Sequence, residues 1–570
     1  MNARSAVHRS LPIVALLFLF SLSLRVLNAH EGLPYLHDWD EPMIARRALR
    51  MLKTGDFNPR FFTYGSLPIY MSMLGDYLLA GFNTHILSVI SPPLSSLSDV
   101  KIGDETRWQW DISHPAFYLG NRIMIAAFGA ATVVALYYLG ASVFNAWVGI
   151  VAAAFLSTVT FHIVQSSLVT PNAPVAFFAV ISALFSVYYL RTNKLRHLIA
   201  SLVAGGMALA TKWNSIVILC LPALIVIREQ LSHRRRKNYR LFLLLVAVPV
   251  ATLILCMPYA VLDFGRTVQN VAVAIETYTR IGNPGHTALP GWRHFLFQCG
   301  QVVGNIGAPA AIISLVGVGG IIGNPLFRII LVVPLIYTAV MSLTVIDYHR
   351  NFTLLYPFIS LLFAAGIYYL HRATLGLFAS PRVRSRAACF LAPAVCGTIL
   401  LTRGFAAGWD AWQAFSVKET RSRGIDLVNS LPPVDLVVIA KELRLHEIDL
   451  NRLSAPYRLC PVAEISRGGF PADSIIYLLP GSLRIYPPAI MKSAAIAAER
   501  DETLAAEGLR ATLAALRARK AAMCRIGEKP TFFRMYATNP AIVVAQEFRP
   551  HANTPGDPPP TGDCSSPSRR

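Results

Sequence analysis

The sequence predicts a polytopic α-helical membrane protein, and three observations carry that reading. Of its 570 residues, 54% are hydrophobic and only 15% are charged, whereas a soluble chain of this length divides into domains with charged surfaces. Apolar runs recur from Leu11 to Leu401. Runs of about 20 apolar residues are what a hydrocarbon core selects, because a helix satisfies its own backbone there. The formal net charge of +21 is gathered in short clusters between those runs, such as Arg234-Arg235-Arg236-Lys237 and Arg382-Val383-Arg384-Ser385-Arg386. That is the pattern of cytoplasmic loops, and it argues against nucleic acid as the partner of the positive charge. The eight cysteines show no CxxC or Cys/His spacing, so neither a disulfide framework nor a zinc site is readable.

Taken in order, Leu11–Leu27 is the first span, preceded by Arg4 and Arg9. The stretch also fits a cleaved leader ending at Leu27-Asn28-Ala29; both readings leave His30 onward outside the cytoplasm. Leu67–Ile90 is interrupted by Pro68, Gly75, Asp76, Gly81 and Asn83. Counting back from the basic link Arg191–Arg196, through Pro174–Leu190, Ile150–Leu168 and Leu119–Val143, puts residues 28 and 91 on one side. Leu67–Ile90 is therefore read as a re-entrant or surface helix. Leu198–Ile227 has basic loops at both ends and crosses twice about the polar break Ala210-Thr211-Lys212-Trp213-Asn214. Leu241–Ala260, Gly300–Ile322, Phe327–Ile346, Phe352–Leu370 and Ala387–Leu401 complete about 11 spans, sized by the lipid core.

The expected organisation is a transmembrane module, 1–402, in which 28–118 forms a large extracytoplasmic loop with surface helices. A small extracytoplasmic α/β domain, 403–549, and a disordered tail, 550–570, follow. Within that domain Val434–Ala440 and Ser474–Leu479 read as buried strands and Ala489–Met523 as a helix.

The densest acid in the chain is His37-Asp38-Trp39-Asp40-Glu41-Pro42, just past the first span. Pro42 suits the first turn of a helix and Asp40 or Glu41 its cap, with Gly55 ending it after Lys53-Thr54. Ile44, Ala48, Met51 and Leu52 share one face and Arg46, Arg50 and Lys53 another, as in a helix lying on a membrane surface. On that reading alone the cations touch headgroups and the carboxylates only cap and balance them. The same side of the membrane also receives Lys212, Arg266, Arg280, His286, Arg293, His294, His349 and Arg350. Taken singly, most such cations are topological anchors. Together, a few carboxylates facing a basic collar suit transfer from a lipid phosphate. A phosphate departs as an anion and needs cations, and the acceptor hydroxyl needs one base. A glycosidase, by contrast, needs a second carboxyl to protonate its leaving group.

The order of these features resembles the polyprenyl-phosphate-sugar-dependent glycosyltransferases of the GT-C fold, which include protein O-mannosyltransferases and bacterial aminoarabinose transferases. The residues that carry the resemblance are the Asp40-Glu41 pair, Gly55-Asp56-Phe57-Asn58-Pro59 and Tyr64-Gly65-Ser66-Leu67-Pro68-Ile69-Tyr70. Further on come Leu209-Ala210-Thr211-Lys212-Trp213, Pro258–Phe264 and Arg350–Pro357. The resemblance implies that Asp40 is the base activating the acceptor and Glu41 the adjacent supporting acid. Asp38 is an extra carboxylate that binds or orients, and Lys212 and Arg350 are candidates for the carrier phosphate. Tyr64, Asn172 and His286 complete the expected substrate-binding set. Two departures stand out. Asn172 occupies a loop position where relatives often have Asp, and Gly65-Ser66-Leu67-Pro68 replaces a Lys-Pro-Pro or His-Pro-Pro motif. One phosphate or metal contact is thereby missing, so no metal is assigned, although a divalent ion is left open.

The expected function is inverting transfer of a sugar from a polyprenyl-phosphate donor to a protein, lipid or glycan acceptor. The expected place is the outer face of a bacterial-type inner membrane, with membrane lipids as the other partner. The alternative is a transporter or flippase of a lipid-linked glycan, which predicts charged residues in mid-span and related halves.

Overall fold

A computed structural model describes residues 3–36, 38, 40–81, 97–103, 112–231, 239–283, 286–377, 386–416, 420–443, 445–465, 474–480, 511, 513–514, 522–526 and 542–548. Its helices begin with α1 (Ala3–Ala29), α2 (Asp40–Thr54), α3 (Leu67–Gly81), α4 (Ala116–Val143) and α5 (Ala146–Ser157). They continue with α6 (Thr160–Gln165), α7 (Asn172–Thr192), α8 (Leu195–Thr211), α9 (Cys220–Leu231) and α10 (Tyr239–Cys256).

Among the described residues, seven helices are long and apolar enough to cross a membrane. The pair Trp292–Ile306 and Ala308–Val318, bent by 115°, makes an eighth if it is one span. About eleven spans are expected from hydropathy, and the difference lies in short or broken helices. Ile150–Leu168 is divided between α5 and α6, and α8 has 17 residues. At 1.5 Å per residue, α8 rises about 26 Å, under the usual hydrocarbon thickness of about 30 Å. The polar break at Lys212 falls where expected, between α8 and the candidate span Trp213–Leu231. In Leu67–Ile90, α3 ends at Gly81, and residues 82–90 lie outside the described set.

The largest buried cluster joins α4, α5, α7 and α8 to the helix Leu355–Leu377. Phe155 and Phe363 stack inside it with centroids 4.2 Å apart. This packing is what aligns the ends of α7, α8 and Leu355–Leu377, where the polar residues collect.

Helix α2 has the expected bounds. Gly55 ends it with φ +71°, its N–H bonded to the Met51 carbonyl at 2.9 Å, a left-handed close that glycine adopts without strain. Its surroundings differ from expectation. Ile44, Ala48 and Met51 are buried against Ile69 and Val169, and Ala45 and Leu49 against Val100, Ile112, Phe117 and Tyr118. The apolar face therefore rests on protein, not on lipid. The cationic face is used the same way: Arg46 donates to the Gly103 carbonyl at 2.6 Å, and Lys53 to that of Val100 at 2.5 Å. The periodicity was the same for either partner, which is why the sequence could not separate them.

The helix Arg386–Ser416 runs unbroken through residue 402, so the expected boundary there lies within a helix. Beyond it, β1 (Leu436–Ala440), β2 (Tyr457–Cys460), β3 (Ser474–Pro480), β4 (Ala522–Ile526) and β5 (Ile542–Phe548) form one sheet in the order β2-β1-β3-β5-β4. β1 is parallel to β2 and β3, while β5 is antiparallel to β3 and β4. Val437 to Ala440 and Ile475 to Leu479 are buried, the continuous apolar pattern of strands covered on both faces. Ala522 and Met523 belong to β4, so the last two residues of the helix expected at Ala489–Met523 are strand. Most of that stretch, like 550–570, lies outside the described residues.

Candidate active site

The carboxylates sit where α2 begins. Asp38 Oδ1 accepts the Asp40 N–H at 2.8 Å, so Asp38, not Asp40 or Glu41, supplies the side-chain oxygen at the helix start. His37 and Trp39 lie outside the described residues. Asp38 is buried, and its Oδ2 lies 3.6 Å from Arg350 Nη1, while Asp40 Oδ1 lies 3.5 Å from Nη2. One guanidinium thus faces both carboxylates, at distances longer than a tight ion pair. Its Cζ also lies over the Tyr348 ring, 4.3 Å from the centroid. Burial raises the Asp38 carboxyl to about 6; Arg350 opposes that shift and Asp40 adds to it. Tyr64 is raised well above the usual phenol range by burial and then by Asp40. Its hydroxyl is buried and has no hydrogen-bond partner among the described residues.

The neighbouring half of the site is built on Lys212. Its ammonium donates to Asn172 Oδ1 at 2.8 Å and to Asn351 Oδ1 at 2.6 Å. Asn172 is oriented by donating to Gln165 Oε1 at 3.0 Å, and Asn351 by donating to the Tyr278 hydroxyl at 3.2 Å. These oxygens are neutral, so among the described residues the ammonium is hydrogen-bonded without a neutralising carboxylate in contact. Lys212 stands between α8 and the next span, and desolvation among its neighbours lowers it to about 7, against a raising effect of Asp40. Arg350 and Asn351 are consecutive in the 3-10 helix His349–Leu354, so a single turn of chain serves both halves.

Gly65 explains part of the Tyr64–Tyr70 motif. A Cβ there would stand 1.9 Å from the Ala210 carbonyl oxygen and 2.8 Å from the Thr211 carbonyl carbon. The loop therefore packs directly on the end of α8 that presents Lys212.

Two expected residues have other surroundings. Glu41 is fully buried and engaged side-on by Arg122, Nε to Oε1 and Nη2 to Oε2, both 2.7 Å. Oε1 also accepts the Val169 N–H at 3.0 Å. Arg122 Nη1 donates to the Ala29 and Glu31 carbonyls, both at 2.8 Å. Both Glu41 oxygens are thus taken up by Arg122, which joins α2 to α4. His286 lies 3.6 Å from Asp347 Oδ1 and packs on the Tyr348 ring at 4.7 Å. It borders the site across the tyrosine that Arg350 also faces, without reaching the carboxylates.

Asp38, Asp40, Tyr64, Asn172, Lys212 and Arg350 therefore converge, while Glu41 supports from beneath and His286 flanks. Sequence reasoning missed Arg122, Asn351 and Tyr278. Arg122 carried a signal, an arginine near the start of an apolar run, since such groups seldom lie there without a partner. Among the described residues no three His, Cys, Asp or Glu side chains gather at one point, and the two clustered carboxylates already share Arg350.

The family described as dolichyl-phosphate-mannose-protein mannosyltransferase matches residues 118–261. That stretch contains Arg122, Asn172 and Lys212, and it bears out the resemblance read from the motifs; it does not reach the carboxylates or Arg350. No curated protein matches the chain in sequence. Among solved structures, ArnT from Cupriavidus metallidurans aligns with a TM-score of 0.48 and 13% identity, covering 95% of this chain and 98% of that one. The oligosaccharyltransferase AglB from Archaeoglobus fulgidus, with an inhibitory peptide and a dolichol-phosphate, gives 0.46 and 12%, covering 93% and 74%. The S. cerevisiae protein O-mannosyltransferase Pmt1-Pmt2 complex bound to the sugar donor gives 0.33 and 17%, covering 50% and 38%.

Proposed function

We propose that the chain is a GT-C-type membrane glycosyltransferase that moves a sugar from a polyprenyl-phosphate donor to a protein, lipid or glycan acceptor. In this reading it crosses a bacterial-type inner membrane about eleven times, with its site and C-terminal α/β domain on the extracytoplasmic side. The observation that carries the reading is the juxtaposition of Asp40 and Arg350 with a Lys212 ammonium held by neutral oxygens.

The chemistry follows from those roles. Asp40 takes the proton of the acceptor hydroxyl as its oxygen bonds to the anomeric carbon. The bond from that carbon to the phosphate oxygen breaks, and the electron pair leaves with the phosphate. Lys212, lacking a carboxylate in contact, is placed to receive that anion, and Arg350 can turn from the carboxylates toward it. Displacement from the opposite face inverts the anomeric centre. Asp38 orients the start of α2 and shares Arg350. Glu41 serves by holding α2 against α4 and has no part in proton transfer.

Full-length protein in phospholipid nanodiscs would be assayed with a panel of radiolabelled polyprenyl-phosphate sugars. Asp40→Asn is expected to abolish transfer while retaining binding of the donor. Transfer at the wild-type rate in that variant would end the base assignment.

A further inference from the structure

The carboxylates lie on a short segment pinned from two directions. Below, Arg122 ties the Ala29 and Glu31 carbonyls to Glu41, so both ends of the stretch 29–41 hang on one guanidinium. Above, Tyr35 is buried in the C-terminal portion of the chain. Its hydroxyl donates to Asp449 Oδ2 at 2.7 Å and accepts the His446 N–H at 3.2 Å. The Arg421 guanidinium covers the ring at 3.7 Å from its centroid. Asp449 is itself held by the Ser422 hydroxyl at 2.7 Å and by Arg452 Nη1 at 2.9 Å. No sequence motif joins Tyr35 to Asp449, and the transfer chemistry uses neither.

Asp38 follows Tyr35 by three residues, which span at most about 11 Å when fully extended. A displacement of Tyr35 is therefore only a short length of chain from Asp38 and, through the Asp38 to Asp40 N–H bond, from the first turn of α2. A hydroxyl between a carboxylate and a backbone N–H is also directional, since the phenol must point at Asp449 to satisfy both.

We infer that the C-terminal α/β portion is a positioning element of the carboxylate site, acting through the hydrogen bond from Tyr35 to Asp449. The inference rests on the proposed transferase reading for what the position is used for, but the mechanical link stands on the contacts alone. Tyr35 and Asp449 are positioning residues: they fix where Asp38 and Asp40 meet Arg350 without touching the reacting atoms.

The test compares Tyr35→Phe, Asp449→Ala and Asp449→Asn in the full-length protein in nanodiscs. Tyr35→Phe keeps the ring beneath Arg421 and removes one oxygen. Hydrogen–deuterium exchange of the peptide spanning residues 36–45 is expected to quicken about tenfold or more in Tyr35→Phe and Asp449→Ala, both of which lose the charge-assisted bond between Tyr35 and Asp449, with α7 unchanged. In the radiolabelled transfer assay the same two variants are expected to lose kcat, with KM for the donor within about twofold, as displacement of a base and not of a binding group predicts. Asp449→Asn keeps an oxygen for Tyr35 and Ser422 and turns its amide toward Arg452, which is part exposed and also pairs with Asp426, so it is expected to stay within about threefold of wild type in both readouts. Unchanged exchange in Tyr35→Phe and Asp449→Ala overturns the link, and faster exchange at full kcat overturns the positioning role assigned to it. An Asp449→Asn as impaired as Asp449→Ala overturns the hydrogen-bond basis. If the wild type transfers no sugar, the transferase reading falls by itself. The exchange arm then decides the link alone, faster exchange supporting it and unchanged exchange overturning it.

Discussion

Replacing Glu41 by glutamine, or Arg122 by alanine, separates a structural carboxylate from a chemical one. Both side chains are fully buried, and together they account for five hydrogen bonds: two between them, one from the Val169 N–H, and two from Arg122 to the Ala29 and Glu31 carbonyls. Arg122→Ala removes four of these and leaves Glu41 with the Val169 N–H alone for two carboxylate oxygens. Glu41→Gln keeps one oxygen but turns an amide NH2 toward a guanidinium that can only donate. Removing one partner of a buried pair costs about 3–5 kcal/mol, mostly from stranding the other. Each variant is expected to lose that much. The double variant Glu41→Gln/Arg122→Ala is expected to lose less than the sum, by a coupling of about 1–3 kcal/mol. Denaturant unfolding of the purified chain in detergent measures the cycle. A Glu41→Gln protein within about 0.5 kcal/mol of wild type that nonetheless transfers no sugar would refute the structural assignment and return Glu41 to the chemistry.

Three further outcomes follow from the site. Asp38 is raised to about 6 from the usual 3.8, so its stabilising contribution is fully present below about pH 4 and lost as pH rises through about 6. Asp38→Asn should flatten that part of the stability profile and unfold later than wild type at pH 7, as read by thermal melts across pH. Lys212 is lowered to about 7, so donor binding should weaken as pH rises through that value. In Lys212→Met, equilibrium binding of undecaprenyl phosphate should be weak at every pH. Gly65→Ala forces a methyl onto the Ala210 carbonyl oxygen at 1.9 Å; overpacking of this kind costs about 1–3 kcal/mol, and a melting curve matching wild type would show that the loop yields.

How much of this was legible in the sequence depended on whether a signal was local. Helix α2 could be bounded from Pro42 and Gly55 because caps and stops act within a turn. The break at Lys212 was visible as polar residues inside an apolar run. What covers a helix face is not local. Ile44 and Met51 look alike whether they meet lipid or Val169, so the helix was placed on the membrane when it lies on protein. Glu41 shows the same limit: the sequence reads it as the acid that supports Asp40 and cannot name what it binds. Adjacency to Asp40 marked it as chemical, yet one residue along a helix turns a side chain by about 100°, out of the cluster and into the interior. Its partner Arg122 is 81 positions away. The Tyr35–Asp449 contact, 414 positions apart, left no trace in spacing or composition.

The shared guanidinium of Arg350 has a consequence for occupancy. Asp38, Asp40, Arg350 and Lys212 sum to zero formal charge when all four are ionised, and Asp38 is already reluctant to ionise. An anion that settles beside Lys212 and draws Arg350 toward itself takes from Asp38 the cation that opposes its burial. Binding of the anion and uptake of a proton then favour one another. Proton uptake on addition of undecaprenyl phosphate in weakly buffered solution near pH 6 is the expected sign of that coupling.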